Sequence, residues 1–528
     1  MITTPVSRRA LFGGGLVLAG LAVAPVYAAG LGAVAFIDYP FALGVASGDP
    51  APDGFVIWTR IAPRPLEPDH GLAAKPVAVA WEVAEDRVFK TVVAKGEAIA
   101  WPEVAHTLHV EVAGLAADRP YFYRFIAGGE RSPIGRSRTL PAPGASLAKV
   151  RFGVIGCQHF EYGLYTAFRM MARDDPDFVY HYGDYIYEGR GGPAMVRYET
   201  GEPLPTVRRH IGDEIYSLDQ YRLRYAQEKL DLDLQFAHAV APWLVSYDDH
   251  EIVNNWVGDH TDAGVPPDVF RIRRAAALQA WYENTPVRRQ VAPVNGVSAM
   301  HRAFQYGDLL DARVLDTRQF RSPQPCEDKF AATVCAGVGD PKAEIMGGAQ
   351  EKWLVDGLSG SRSRWKAVLQ QVMMMDLDRA HDDAVKTINP DSWAGYTVPR
   401  DRFLNALGHR KVGNVVVLTG DEHQNFAGEL RSSTMIAATA PVAIEFVLTS
   451  ATSGGDGQDV RPGSDKILAR NPGLKFINDQ RGYGLCTVTP DRFETAFRVL
   501  DQVSRPGGIV STRATLTVPN GAARIEMA

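Results

Sequence analysis

Four short segments of the 528-residue chain carry side chains that could do chemistry together: Gly156-Cys157-Gln158, Gly183-Asp184-Tyr185-Ile186-Tyr187, Asp248-Asp249-His250-Glu251 and Gly420-Asp421-Glu422-His423. Taken singly, each has a bland explanation. A Gly-Asp pair is a routine turn, a cysteine after a strand is usually a small core residue, an acidic pair suits a solvated loop, and a histidine can be a satisfied structural group. As a set they resist that account, because carboxylates held side by side repel and are costly to bury without a cation. Phenolate and thiolate beside carboxylate and imidazole favour iron, whereas carboxylate and amide oxygens favour a harder ion such as Ca²⁺ or Mg²⁺. One site with both sets implies two unlike metals sharing Asp184 as a bridge, a pair suited to activating water and clamping the oxygens of a phosphate.

Each segment directly follows an apolar run that reads as a buried strand, at 150–156, 178–182, 243–247 and 415–419. Open α/β sheets place their ligands at such carboxyl ends. A helical run at 165–173 completes a β-α-β unit, another spans 402–409, and a further strand is expected at 365–370. Residues 149–528 are therefore expected to form an α/β (α+β layered) domain. The preceding 36–140 differ, with short alternating strands such as 54–60, 77–83 and 107–112 between turn residues. They predict an all-β sandwich of immunoglobulin or fibronectin type, joined through the Pro/Gly-rich stretch 140–146. No catalytic constellation falls inside it, so its expected role is to support and position.

The length exceeds one ordinary core. The net charge of -5, without a polybasic run, gives no basis for nucleic-acid binding. Ser7-Arg8-Arg9-Ala10-Leu11-Phe12, the diluted apolar run after it and Val26-Tyr27-Ala28-Ala29 read as a twin-arginine signal over residues 1–29. The twin-arginine export machinery is then an expected partner, and the mature protein is expected in the periplasm or secreted. No other stretch is long and apolar enough to span a bilayer, so no stable membrane anchor is expected. In an oxidising compartment Cys326 and Cys335 are expected to pair, and Cys486 reads as a buried thiol in a strand.

The same segments resemble known blocks. Gly183 to Tyr187 is similar to the GDxxY block of purple acid phosphatases, and Asp248 to Glu251 and Gly420 to His423 stand where calcineurin-like metallophosphoesterases carry GNH[DE] and GHxH. The whole chain resembles the alkaline phosphatase D (PhoD) family more closely. That likeness lies in the twin-arginine pattern, in Phe41-Ala42-Leu43-Gly44-Val45-Ala46-Ser47-Gly48-Asp49-Pro50, in Cys157-Gln158, and in the run from Asp248 to Trp256. Leu315-Asp316-Thr317-Arg318-Gln319-Phe320 and Gln350-Glu351-Lys352-Trp353-Leu354 extend it.

The resemblance implies a metallophosphoesterase-like catalytic domain hydrolysing phosphate monoesters or diesters with Fe³⁺ and Ca²⁺. Cys157, Asp184, Tyr187 and His423 would hold iron. Asp249, Asn255 and Asp421 would hold calcium, with the choice among Asp249, Asn254 and Asn255 left open. Hydroxide activated at the metals would attack phosphorus, and His250 would contact the phosphoryl group or protonate the leaving group, or else orient the carboxylates. Arg318 and Arg321 could clamp phosphate oxygens, but arginines in loops are mostly surface residues, so both are left outside the site. A C-terminal segment from Pro472 is expected to contribute a cover. A phospholipase D-type phosphodiesterase and a non-catalytic binding protein are the competing readings.

Overall fold

The computed structural model describes residues 34–191, 201–261, 263–380, 385–432 and 440–527; the signal expected at 1–29 lies outside the described residues. Two mixed sheets packed face to face form the centre. The first has ten strands, and the second has seven.

In the first sheet, Val150–Ile155, Phe178–His181 and Pro242–Val245 are parallel neighbours, and their last residues Ile155, His181 and Val245 lie in register. In the second, Trp365–Leu369, Val415–Thr419 and Ala443–Val447 run parallel, Leu369 opposite Leu418 and Thr419 opposite Val447.

The continuous apolar character of these strands follows from burial on both faces. Successive side chains point oppositely. Phe152, Tyr180, Leu369 and Leu418 therefore enter the core between the sheets. Val179, Trp243 and Val245 turn outward to the helices Thr166–Arg173, Leu218–Lys229 and Pro267–Asn284. Val368 and Val417 meet Gly348–Gly360 and Thr397–His409 on the far side. The result is a helix-sheet-sheet-helix stack with an N-terminal β region.

That β region is not closed on itself. A sheet of Val92–Ala100, Val77–Ala84, Pro120–Ala127 and two short strands covers Val45–Ala51, Gly54–Arg60 and Thr107–Val112. Those three strands belong to the ten-stranded sheet, and Val45–Ala51 pairs in parallel with Pro242–Val245, Ser47 opposite Pro242. Alternating hydrophobicity identified the strands but not their partner, because edge pairing is made with residues 195 positions away.

The segment from Pro472, expected to contribute a cover, supplies Leu474–Asn478 to the second sheet and Gly482–Val488, Arg492–Leu500 and Val510–Pro519 to the first. Its period-two burial favours sheet over a capping helix. Cys326 and Cys335 are disulfide-bonded, and Cys486 is a buried free thiol in its strand. No helix among the described residues is long and apolar enough to cross a membrane.

Candidate metal centre

Because the strand ends are level, the loops that follow them meet. Cys157 N–H donates to the Gly183 carbonyl and Gln158 N–H to that of Asp184, both at 3.0 Å. Gly183, at φ 130°, could not carry a side chain here: a Cβ would lie 2.5 Å from both Cβ and N of Asp248. Tyr182 ties the two sheets together. Its ring fills the space against Gly156 and Gly420, and its hydroxyl donates to the Thr449 carbonyl at 2.7 Å. Cys157, Asp184, Asn255, Asp421 and His423 all take left-handed backbone angles, φ 49–66°, a clustering of strained non-glycine residues seen at functional sites.

Sulfur, carboxylate oxygen and ring nitrogen of Cys157, Asp184 and His423 lie within 4.8 Å of one another. The Tyr187 hydroxyl is 2.9 Å from Asp184 Oδ2 and 3.4 Å from His423 Nε2. Two further groups, Asp184 with Asp249 and His250, and Asp248 with Asp249 and Asp421, satisfy the same limit. Asp184 is shared by the first two groups and Asp249 by the last two.

Asn255 sits at the edge. Its backbone N–H donates to Asp249 Oδ2 at 2.7 Å and its side-chain amide to Asp328 Oδ2 at 2.8 Å. Asn254 is exposed, and its N–H binds Glu188. His250 Nδ1 lies 2.7 Å from Glu188 Oε2.

The electrostatics are those of a cluster short of positive charge. Burial, then the charge of Asp249, pushes the Asp184 carboxyl well above the usual range; burial and Asp248 do the same to Asp421. The Cys157 thiol and Tyr187 phenol are also driven up by burial and by Asp184. Burial alone would lower His250, yet Asp249, Glu188 and Asp184 raise it well above an ordinary imidazole. Asp249 is held down by His250 and Arg318 against its burial. Asp184 Oδ1 and Asp249 Oδ1 are buried without a hydrogen-bond donor, which is rare for such atoms and suits oxygens that face a cation. The donor set therefore fits the metals it would hold.

Several residues around this cluster were not foreseen. Arg318 and Arg321, expected at the surface, are 0 % and 3 % exposed. Arg318 donates to Asp248 at 2.6 Å and forks onto Asp391 at 2.9 and 2.8 Å. A loop arginine is normally solvated; this one stays buried because three carboxylates compensate it. Glu251 accepts the N–H groups of Asp184, Tyr185 and Asp248 and so shapes two loops at once. Ser453 lies 2.6 Å from the Tyr187 hydroxyl. Glu251 stood inside a recognised motif; Ser453 carried no signal of its own.

The PhoD-like phosphatase model matches residues 152–497, and the N-terminal domain model of PhoD-like phosphatases matches 27–141. A solved structure of PhoD superposes with a TM-score of 0.90 at 40% identity, covering 94% of this chain and 93% of that one. These matches define a phosphoesterase, and the chain belongs to the PhoD-like phosphatase family. Alkaline phosphatase D of Bacillus subtilis (strain 168) is 41% identical over 514 residues, 96% of this chain and 87% of that protein.

Proposed function

We propose that the chain is an exported, metal-dependent phosphatase or phosphodiesterase of the alkaline phosphatase D type. The observation that carries this reading is the convergence of Cys157, Asp184, Tyr187 and His423 beside a second carboxylate group, with two buried carboxylate oxygens lacking any donor. Cys157, Asp184, Tyr187 and His423 would hold Fe³⁺. Asp184, Asp249, Asp421 and Asn255 would hold Ca²⁺, and Asp248 stands close enough to join them. When bound, such ions lower the pKa of water and neutralise charge growing on phosphate oxygens.

The chain's own side chains do the rest. Arg318 balances Asp248 and holds Asp249 in place. Glu188 binds the Nδ1 side of the His250 ring, which leaves the other ring nitrogen to deliver a proton to the departing oxygen as the water oxygen bonds phosphorus. A small phosphate ester is the substrate class.

Asp184→Asn tests the assignment. It should lose iron by metal analysis, lose the visible charge-transfer band of a tyrosinate, and lose hydrolysis of p-nitrophenyl phosphate. Full metal content with normal turnover would overturn it. Comparing that ester with bis-p-nitrophenyl phosphate on the wild type distinguishes monoester from diester preference.

A further inference from the structure

The loop closed by the Cys326–Cys335 disulfide has no part in the chemistry above, yet it reaches the site. Asp328 accepts from the Asn255 side-chain amide at 2.8 Å, and Gln324 Nε2 donates to the Asn255 carbonyl at 2.6 Å and to Asp391 Oδ1 at 2.8 Å. We infer that Asp328, presented by this loop, is a positioning residue that fixes the Asn255 amide with its oxygen toward the calcium side of the site. The inference rests on the metal reading above and adds a residue to it.

A planar amide has one donor end and one acceptor end, and only the acceptor end can face a cation. An ionised carboxylate accepts and cannot donate, so Asp328 captures the NH₂ end and turns Oδ1 away from itself. The backbone N–H of Asn255 is meanwhile anchored on Asp249, whose other oxygen has no hydrogen-bond donor. Asn255 is thus pinned at three atoms beside a candidate ligand.

The loop that supplies Asp328 would not hold its shape unaided. Cys326, Glu327 and Asp328 take φ of 57°, 58° and 52° in succession, a left-handed run that L-residues avoid. Such a conformation persists only when its surroundings over-determine it. Here the disulfide, the pairing of Ala332–Thr333 with Thr387–Ile388, and packing of both cysteines on Val338, Ile388 and Ala394 supply that constraint.

The test is calcium titration by calorimetry of iron-loaded protein stripped of calcium, with the visible band recorded alongside. Asp328→Ala should bind calcium about 10- to 100-fold more weakly, the usual effect of losing a partner of a ligand, while keeping the iron band. Asp328→Asn, whose amide can donate as well as accept and so no longer selects the NH₂ end, should weaken calcium in the same direction but by less than Asp328→Ala. Cys326→Ser with Cys335→Ser should weaken calcium in the same direction. In an Asn255→Ala background Asp328→Ala should add little. Unchanged calcium affinity in Asp328→Ala, or loss of iron and calcium together in that variant, would overturn the inference. A wild type that takes up neither metal would overturn the metal reading itself, a result visible before any variant is made.

Discussion

At the residue scale the centre is defined by what each side chain lacks. Asp184 and Asp249 each hold a buried oxygen without a donor, while His250 is ringed by carboxylates. The proton role given to His250 has a selective consequence. His250→Ala should lower kcat about 10²- to 10⁴-fold on an alkyl phosphate, whose leaving oxygen needs the proton. On p-nitrophenyl phosphate, whose phenolate leaves unassisted, the loss should be much smaller. Steady-state kinetics on both esters checks this, and an equal loss on the two would assign His250 to orientation instead. Tyr187 is flanked by the rings of His250 at 4.2 Å and His159 at 4.3 Å between centroids, so the variant's visible spectrum reports any shift of the tyrosine. The ligand types were legible in the sequence. The buried state of Arg318 was not, since its compensation comes from Asp248 and Asp391, each about 70 positions away.

At the element scale the centre exists because strands of both sheets end at one edge. Gly183 is the tightest point. Replacing it with Ala would set a Cβ against backbone and Cβ of Asp248 in a conformation open mainly to glycine. Gly183→Ala should therefore cost about 2–4 kcal/mol in chemical denaturation, from strain and local overpacking. It should also weaken metal retention, because Asp184 and Asp248 move with the loops. Strand positions 54–60, 107–112 and 415–419 read from the sequence coincide with those observed, and the core strands fall within a residue or two. Periodicity and apolar runs are local signals, which is why they survive.

At the scale of the whole molecule, the N-terminal region and the phosphatase sheet are one hydrogen-bonded structure. Deleting residues before 141 would strip the edge of Pro242–Val245 and expose unpaired backbone next to apolar side chains. That truncated chain should aggregate on expression, as read by size-exclusion chromatography.

Lys229 adds a pH signature to the same junction. It is buried, with its ammonium 4.3 Å from the Trp58 ring and 3.1 Å from the Tyr185 hydroxyl. Burial, then Arg60, lowers it to about 7. A depressed lysine pKa means the unfolded chain binds more protons between about pH 7 and 10.4. Stability from this group is then full above that window and is lost as pH falls through about 7. Relative to Lys229→Met, the wild type should gain up to about 1.4 kcal/mol per pH unit across the window, measurable by urea denaturation at pH 7, 8 and 9.

The sequence by itself determined the chemistry on offer: which donors follow which strands, that carboxylates brought together would favour a cation, and that two cysteines nine residues apart would pair. Donor type and distance along the chain are enough for that. Tertiary structure decided what depends on neighbours far away in sequence. It made Arg318 an interior counter-charge, carried the N-terminal strands into the phosphatase sheet, and built the segment from Pro472 into both sheets. It also brought Asp328 to Asn255 across 73 residues. Strand pairing and buried charge compensation are set by spatial neighbours, and residue type and spacing alone do not specify who those neighbours are.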